Sequence, residues 1–104
     1  MKIRIKFRKY GTMKFIGHLD VMRYFQKAIR RSEVNIRYSE GFSPHQIMSF
    51  AAPLGVGITS KGEYVDIEVL DTENSKKMID RLNAVMSEGF EILEYKLLPD
   101  PPRH

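Results

Sequence analysis

Hydrophobic and polar positions alternate strictly over residues 2–8: Ile3, Ile5 and Phe7 fall on one face, and Lys2, Arg4, Lys6 and Arg8 on the other. A period of two predicts a strand with one buried face. Gly11 and Thr12 begin a connection. From about 18 to 32 the period lengthens, and Val21, Met22, Phe25, Ala28 and Ile29 follow the spacing of an amphipathic helix. Its opposite face carries Asp20, Arg23, Lys27, Arg30 and Arg31, with the acid near the start and the cations towards the end, as the helix dipole favours. Residues 34–38 alternate again and predict a short strand. Residues 39–45 read as a loop, and an apolar piece at 47–52 runs into Pro53-Leu54-Gly55-Val56-Gly57, where Pro53 is out of place inside a sheet. Lys61-Gly62 marks a turn. Over 63–70, Val65, Ile67 and Val69 alternate with Asp66 and Glu68. Met78, Ile79, Leu82, Val85 and Met86 predict a second helix over 75–87, with Asn74 or Ser75 as its cap and Gly89 at its stop. Phe90 to Leu97 predicts a last strand.

The order strand, helix, strand, strand, helix, strand is that of a ferredoxin-like α+β sandwich, βαββαβ. Each helix has one apolar stripe, so both are expected on one face of an antiparallel sheet whose other face stays open. The expected organisation is a single domain over 1–98, followed by a Pro-rich C-terminal tail over 99–104.

Composition narrows the chemistry. The 104 residues are 42% hydrophobic, enough for one core, and contain no cysteine. Disulfides, thiolate zinc sites and cysteine-ligated clusters are therefore excluded on this chain. No run approaches the ~20 apolar residues of a membrane span. The charged start lacks a signal-peptide core, so a cytoplasmic location without membrane partners is expected. Charge is uneven: residues 1–50 hold 11 basic and 3 acidic side chains, and residues 51–104 hold 6 and 10. A basic half points to an anionic partner, most simply nucleic acid.

Three groups are candidates for that contact. Lys2, Arg4, Lys6 and Arg8 form a ladder on the open sheet face, but it lacks the aromatic residues of an RNA-binding sheet, and Asp66, Glu68 and Glu91 or Glu94 are expected across from it. The ladder is therefore read as structural. Arg23, Lys27, Arg30 and Arg31 have only Asp20 nearby and form the least compensated positive surface; the bland alternative is a solvated helix face. The third group is Gly17-His18-Leu19-Asp20 together with Ser39-Glu40-Gly41-Phe42-Ser43-Pro44-His45. Gly41 permits an unusual backbone turn and Pro44 fixes one. Phe42 either folds back on the core or faces a ligand. His18, Asp20 and His45 are a conceivable metal set but lack a recognised ligand spacing, and capping or loop-pinning is the simpler role. No P-loop, nucleophile elbow or paired-carboxylate pattern is present, and no cofactor is implied.

Gly17-His18-Leu19-Asp20, Arg30-Arg31, Tyr38 to His45, Ser49-Phe50-Ala51 with Pro53-Leu54, and Gly57, Ser60 and Gly62-Glu63 run in a fixed order. This order resembles the radical-SAM-linked protein family, whose domain is known as DUF2344 and has no assigned function. The resemblance covers residues 1–70 and is most specific over 39–63. It departs at Gly17, where the family commonly has Ser, and at Gln46, where Pro is common. Gly17 loses a helix cap, and Gln46 is expected to loosen the turn. The resemblance implies a radical SAM protein as partner, fused to such a domain or encoded beside it, with ribosomal-protein and ribonuclease genes as neighbours in some genomes. The radical chemistry would then belong to the partner.

The leading expectation is a non-catalytic accessory module of a radical SAM system that engages RNA or a ribosome-related substrate. Its binding residues are His18, Asp20, Arg23, Lys27, Arg30, Arg31, Gly41, Phe42, Ser43, Pro44, His45 and Ser49. In this reading the cations meet phosphates, Phe42 packs on a base or a partner surface, and the glycine–proline loop reaches the entrance of the first helix. The alternative is a protein-docking domain for the radical SAM partner, with Phe42, Phe50 and Pro53-Leu54 as an apolar patch. A small metal-dependent enzyme built on His18, Asp20 and His45 comes third.

Overall fold

A computed structural model of the protein describes residues 1–51, 63–86 and 88–99; of His18 and Ala51 it describes the backbone. The elements run β1 (Lys2–Lys9), a 3-10 helix (Gly11–Phe15), α1 (His18–Ser32), β2 (Met48–Ala51), β3 (Glu63–Glu68), α2 (Ser75–Val85) and β4 (Phe90–Leu97). The four strands form one antiparallel sheet in the order β2-β3-β1-β4, the ferredoxin-like arrangement. The turn expected at Lys61-Gly62, the segment Pro53 to Gly57 and the tail from residue 100 lie outside the described residues.

The alternating code of β1 is realised side by side. Ile3, Ile5 and Phe7 are fully buried, as are Val65 and, from the helices, Phe25, Ile29 and Leu82. Rings set the centre of the core: Phe7 and Phe25 lie 4.5 Å apart, Phe50 meets Phe25 at 5.7 Å, and Tyr24 stacks on Phe90 at 4.2 Å. Such pairs add stability beyond the area they bury.

One strand is not where alternation placed it. Residues 34–38 make only two isolated bridges, Ile36 with Val69 and Tyr38 with Gln46, and the β2 ladder lies at 48–51. The two pieces nevertheless share one sheet edge. Arg37 N–H donates to Glu68 O at 2.8 Å and Leu70 N–H to Asn35 O at 2.9 Å, after which Met48 to Ala51 continue along β3 from Ile67 to Tyr64. A single edge strand is thus interrupted, and residues 39–45 are expelled from it as a loop. The alternation was real, but the rungs beside residues 34–38 are too few for a ladder.

The helices close the other face. Gly17 is the N-cap of α1 and has no side-chain cap bond; Asn74 caps α2 by accepting from Lys77 N–H at 2.9 Å. At the far end of α1, Arg81 of α2 donates to Ser32 O at 2.7 Å and Glu33 O at 3.4 Å, satisfying carbonyls that helix ends leave open. Among the described residues no helix is long and apolar enough to cross a membrane.

Candidate functional site

Three of the four cations in the β1 ladder are neutralised in place. Arg4 pairs with Asp66 through two bonds, at 2.8 and 3.0 Å, Lys6 with Glu94 at 3.8 Å, and Arg8 with Glu91. The bonds and charge of Asp66 raise the Arg4 pKa above its ordinary value. Glu68, in register with Lys2, instead pairs with Arg37 at 3.0 Å. The face does carry aromatic residues, contrary to expectation. Tyr64 sits opposite Lys6 with the same parity as Asp66 and Glu68, and the Arg8 guanidinium lies 4.9 Å from the Tyr10 ring centroid. Parity alone identifies Tyr64.

The polar face of α1 is different. Arg23, Lys27, Arg30 and Arg31 are all exposed, and among the described residues none has an ion-pair partner. At about 100° per residue, Leu19, Arg23, Gln26 and Arg30 fall on one stripe, with Asp20, Lys27 and Arg31 beside it. Asp20 is exposed in the first turn. Two large apolar groups stand at this end of the helix, Phe15 at 88% exposure and Leu19 at 67%.

The 39–45 loop rises from a neck that is tied to the same helix. Its neck is the Tyr38–Gln46 bridge, reinforced by Ser39 N–H donating to His45 O at 2.8 Å. The Ser39 hydroxyl accepts from His45 N–H at 3.1 Å and lies 3.1 Å from His45 Nδ1, so serine and histidine pin the two arms together. Gly41 holds φ at +122°, a region that side chains resist. Ser43 and Pro44 are exposed, and Phe42 at the tip is as exposed as a free side chain, at 109%.

Gln46 ties the loop to the helix. It is buried, and its Nε2 donates to the main-chain oxygen of Gln26 at 3.1 Å; its Oε1 is buried without a hydrogen-bond partner among the described residues. The glutamine that was expected to loosen the turn therefore anchors it. No local signal announces this, because the contact joins residues 20 apart in sequence.

The expected binding residues are thus sorted. Arg23, Lys27, Arg30 and Arg31 share the exposed face of α1, and the loop carrying Gly41, Phe42, Ser43, Pro44 and His45 is tied beside it. That tie is at mid-helix, about two turns beyond the entrance. Ser49 does not join them. It pairs with Asp66, places its side chain on the open sheet face, and leaves Met48 and Phe50 to pack on the core. The His18 side chain lies outside the described ones. Among the described residues no group of three His, Cys, Asp or Glu could hold a metal ion.

Comparison with known proteins returns one family. The model described as "Uncharacterized protein conserved in bacteria (DUF2344)" matches residues 2–103. No curated protein and no solved structure matches the chain. The match spans nearly the whole sequence, and the chain belongs to the DUF2344 family.

Proposed function

We propose that the domain is a non-catalytic accessory module that binds RNA along the polar face of α1 and the adjoining 39–45 loop. In this reading it presents a ribosome-related substrate to a radical SAM protein, the partner implied by the family resemblance. One observation carries the RNA reading: three of the four ladder cations on the sheet face, Arg4, Lys6 and Arg8, are already matched by carboxylates, whereas the four on α1 have no ion-pair partner among the described residues. An unmatched cation row can neutralise phosphates and release their counterions.

Four phosphate contacts give a slope of log K on log salt of about −3 to −4. Fluorescence anisotropy with a labelled structured RNA at several salt concentrations measures it. The double variant Arg23→Ala/Lys27→Ala should lower the slope by roughly 2. Arg4→Gln on the sheet face should leave the slope nearly unchanged. Failure to bind at low salt removes the RNA reading.

The exposed Phe15, Leu19 and Phe42 favour a second reading, docking on the radical SAM partner without nucleic acid. Phe50 cannot share that patch, because it packs against Phe7 and Phe25. Co-purification that survives nuclease and is lost in Phe42→Ala would select this reading.

A further inference from the structure

We infer that the RNA recognised by this face carries an unpaired nucleotide, and that Phe42 is the surface on which its base stacks. The inference rests on the RNA reading above and narrows it to stem–loops, bulges and single strands rather than continuous duplex.

Leaving a phenylalanine outside the core forgoes the burial of a large apolar side chain. Phe42 is nevertheless fully exposed, and the loop beneath it is not slack. Ser39 and His45 lock its arms through main-chain and side-chain bonds, and Gly41 takes the positive φ that turns the tip. A loop backbone pinned in this way loses little conformational freedom when the ring it carries meets a flat partner.

Position then selects the partner. Gln46 fixes the neck at Gln26, and Arg23 and Arg30 lie within about one turn on either side. Phe42 is four residues from the neck, so its backbone reaches no more than about 14 Å from it. A phosphate chain following the α1 cations therefore passes within reach of the tip. In an A-form duplex the base faces are stacked inside and an aromatic ring finds none to cover; an unpaired base offers its face. Stacking of this kind is tolerant of base identity. The site should thus distinguish unpaired from paired RNA more sharply than one sequence from another.

The test compares two labelled RNAs with the same number of phosphates, a stem–loop and a blunt continuous duplex, by anisotropy at one fixed low salt concentration. The wild-type protein should bind the stem–loop more tightly. Phe42→Ala should weaken stem–loop binding about 5- to 150-fold, the range for loss of one stacked base, and leave duplex binding as it was. Phe42→Trp should keep the preference, and Phe42→Leu, apolar but without a π face, should lose it as alanine does. Because Phe42 touches no core residue, circular dichroism should be the same for all variants. Equal wild-type affinity for the two RNAs, or a Phe42→Ala loss shared equally between them, overturns the inference and leaves the RNA reading standing. Binding to neither RNA overturns both.

Discussion

Gly89 occupies a position that only glycine fits comfortably. Its φ is +107°, and a β-carbon there would lie 2.3 Å from Met13 Cγ and 2.9 Å from Met13 Cβ. Gly89→Ala is expected to lower stability by roughly 1–3 kcal/mol, read from urea unfolding. Tyr95 makes a second residue-scale prediction. Burial pushes its phenol pKa above 10.0, and Asp71 adds to this, while the bond to Thr72 at 2.7 Å opposes it. The folded state therefore holds this proton more firmly than the unfolded state. That contribution is complete below pH 10 and is lost as pH rises through the raised value. Wild-type stability should fall more steeply above pH 10 than that of Tyr95→Phe, which itself costs about 1 kcal/mol at neutral pH. Gly41 and Gly89 were legible in the sequence because a glycine beside a predicted element end has a local meaning. Gln46 was not, because its role exists only once α1 lies beside it.

At the scale of elements, Asn83 performs an unusual service for β4. Its side-chain amide accepts from Ile92 N–H at 2.8 Å and donates to Ile92 O at 3.2 Å, imitating the rung a neighbouring strand would make. Together with the irregularity opposite Lys6/Phe7 and the charges of Glu94 and Lys96, it blunts an edge that would otherwise invite pairing with another chain. Asn83→Ala should cost about 1–2 kcal/mol in urea unfolding and raise light scattering near the thermal midpoint. Periodicity located both helices and three of the four strands, since each buries a face that its own sequence specifies. The edge strand was only half legible: alternation marked residues 34–38, which make isolated bridges, while the four residues of the ladder at 48–51, beyond the loop, are too few to show a period.

Over the whole molecule, charge is divided by face rather than by half of the chain. The basic first half supplies both the largely neutralised ladder of β1 and the row on α1 that has no ion-pair partner among the described residues, so its excess of cations did not by itself say where a polyanion would sit. Cross-strand register resolves this by pairing Arg4 with Asp66 and Lys6 with Glu94. Replacing both ladder arginines, Arg4→Gln with Arg8→Gln, should change RNA affinity far less than replacing two cations of α1, although the net charge falls by the same amount. Anisotropy at a single salt concentration compares the two. Charge steering from a distance would treat these pairs alike, whereas local contact separates them.

The interrupted edge strand leaves and re-enters the sheet at one point, where Tyr38 and Gln46 face each other. Anything closed at that doorway can change in length or composition without shifting the rungs on either side. The molecule therefore separates two tasks: the sheet keeps the chain folded, while the five residues from Glu40 to Pro44, between the paired Ser39 and His45, form an exchangeable cassette, free to be re-written for a different target.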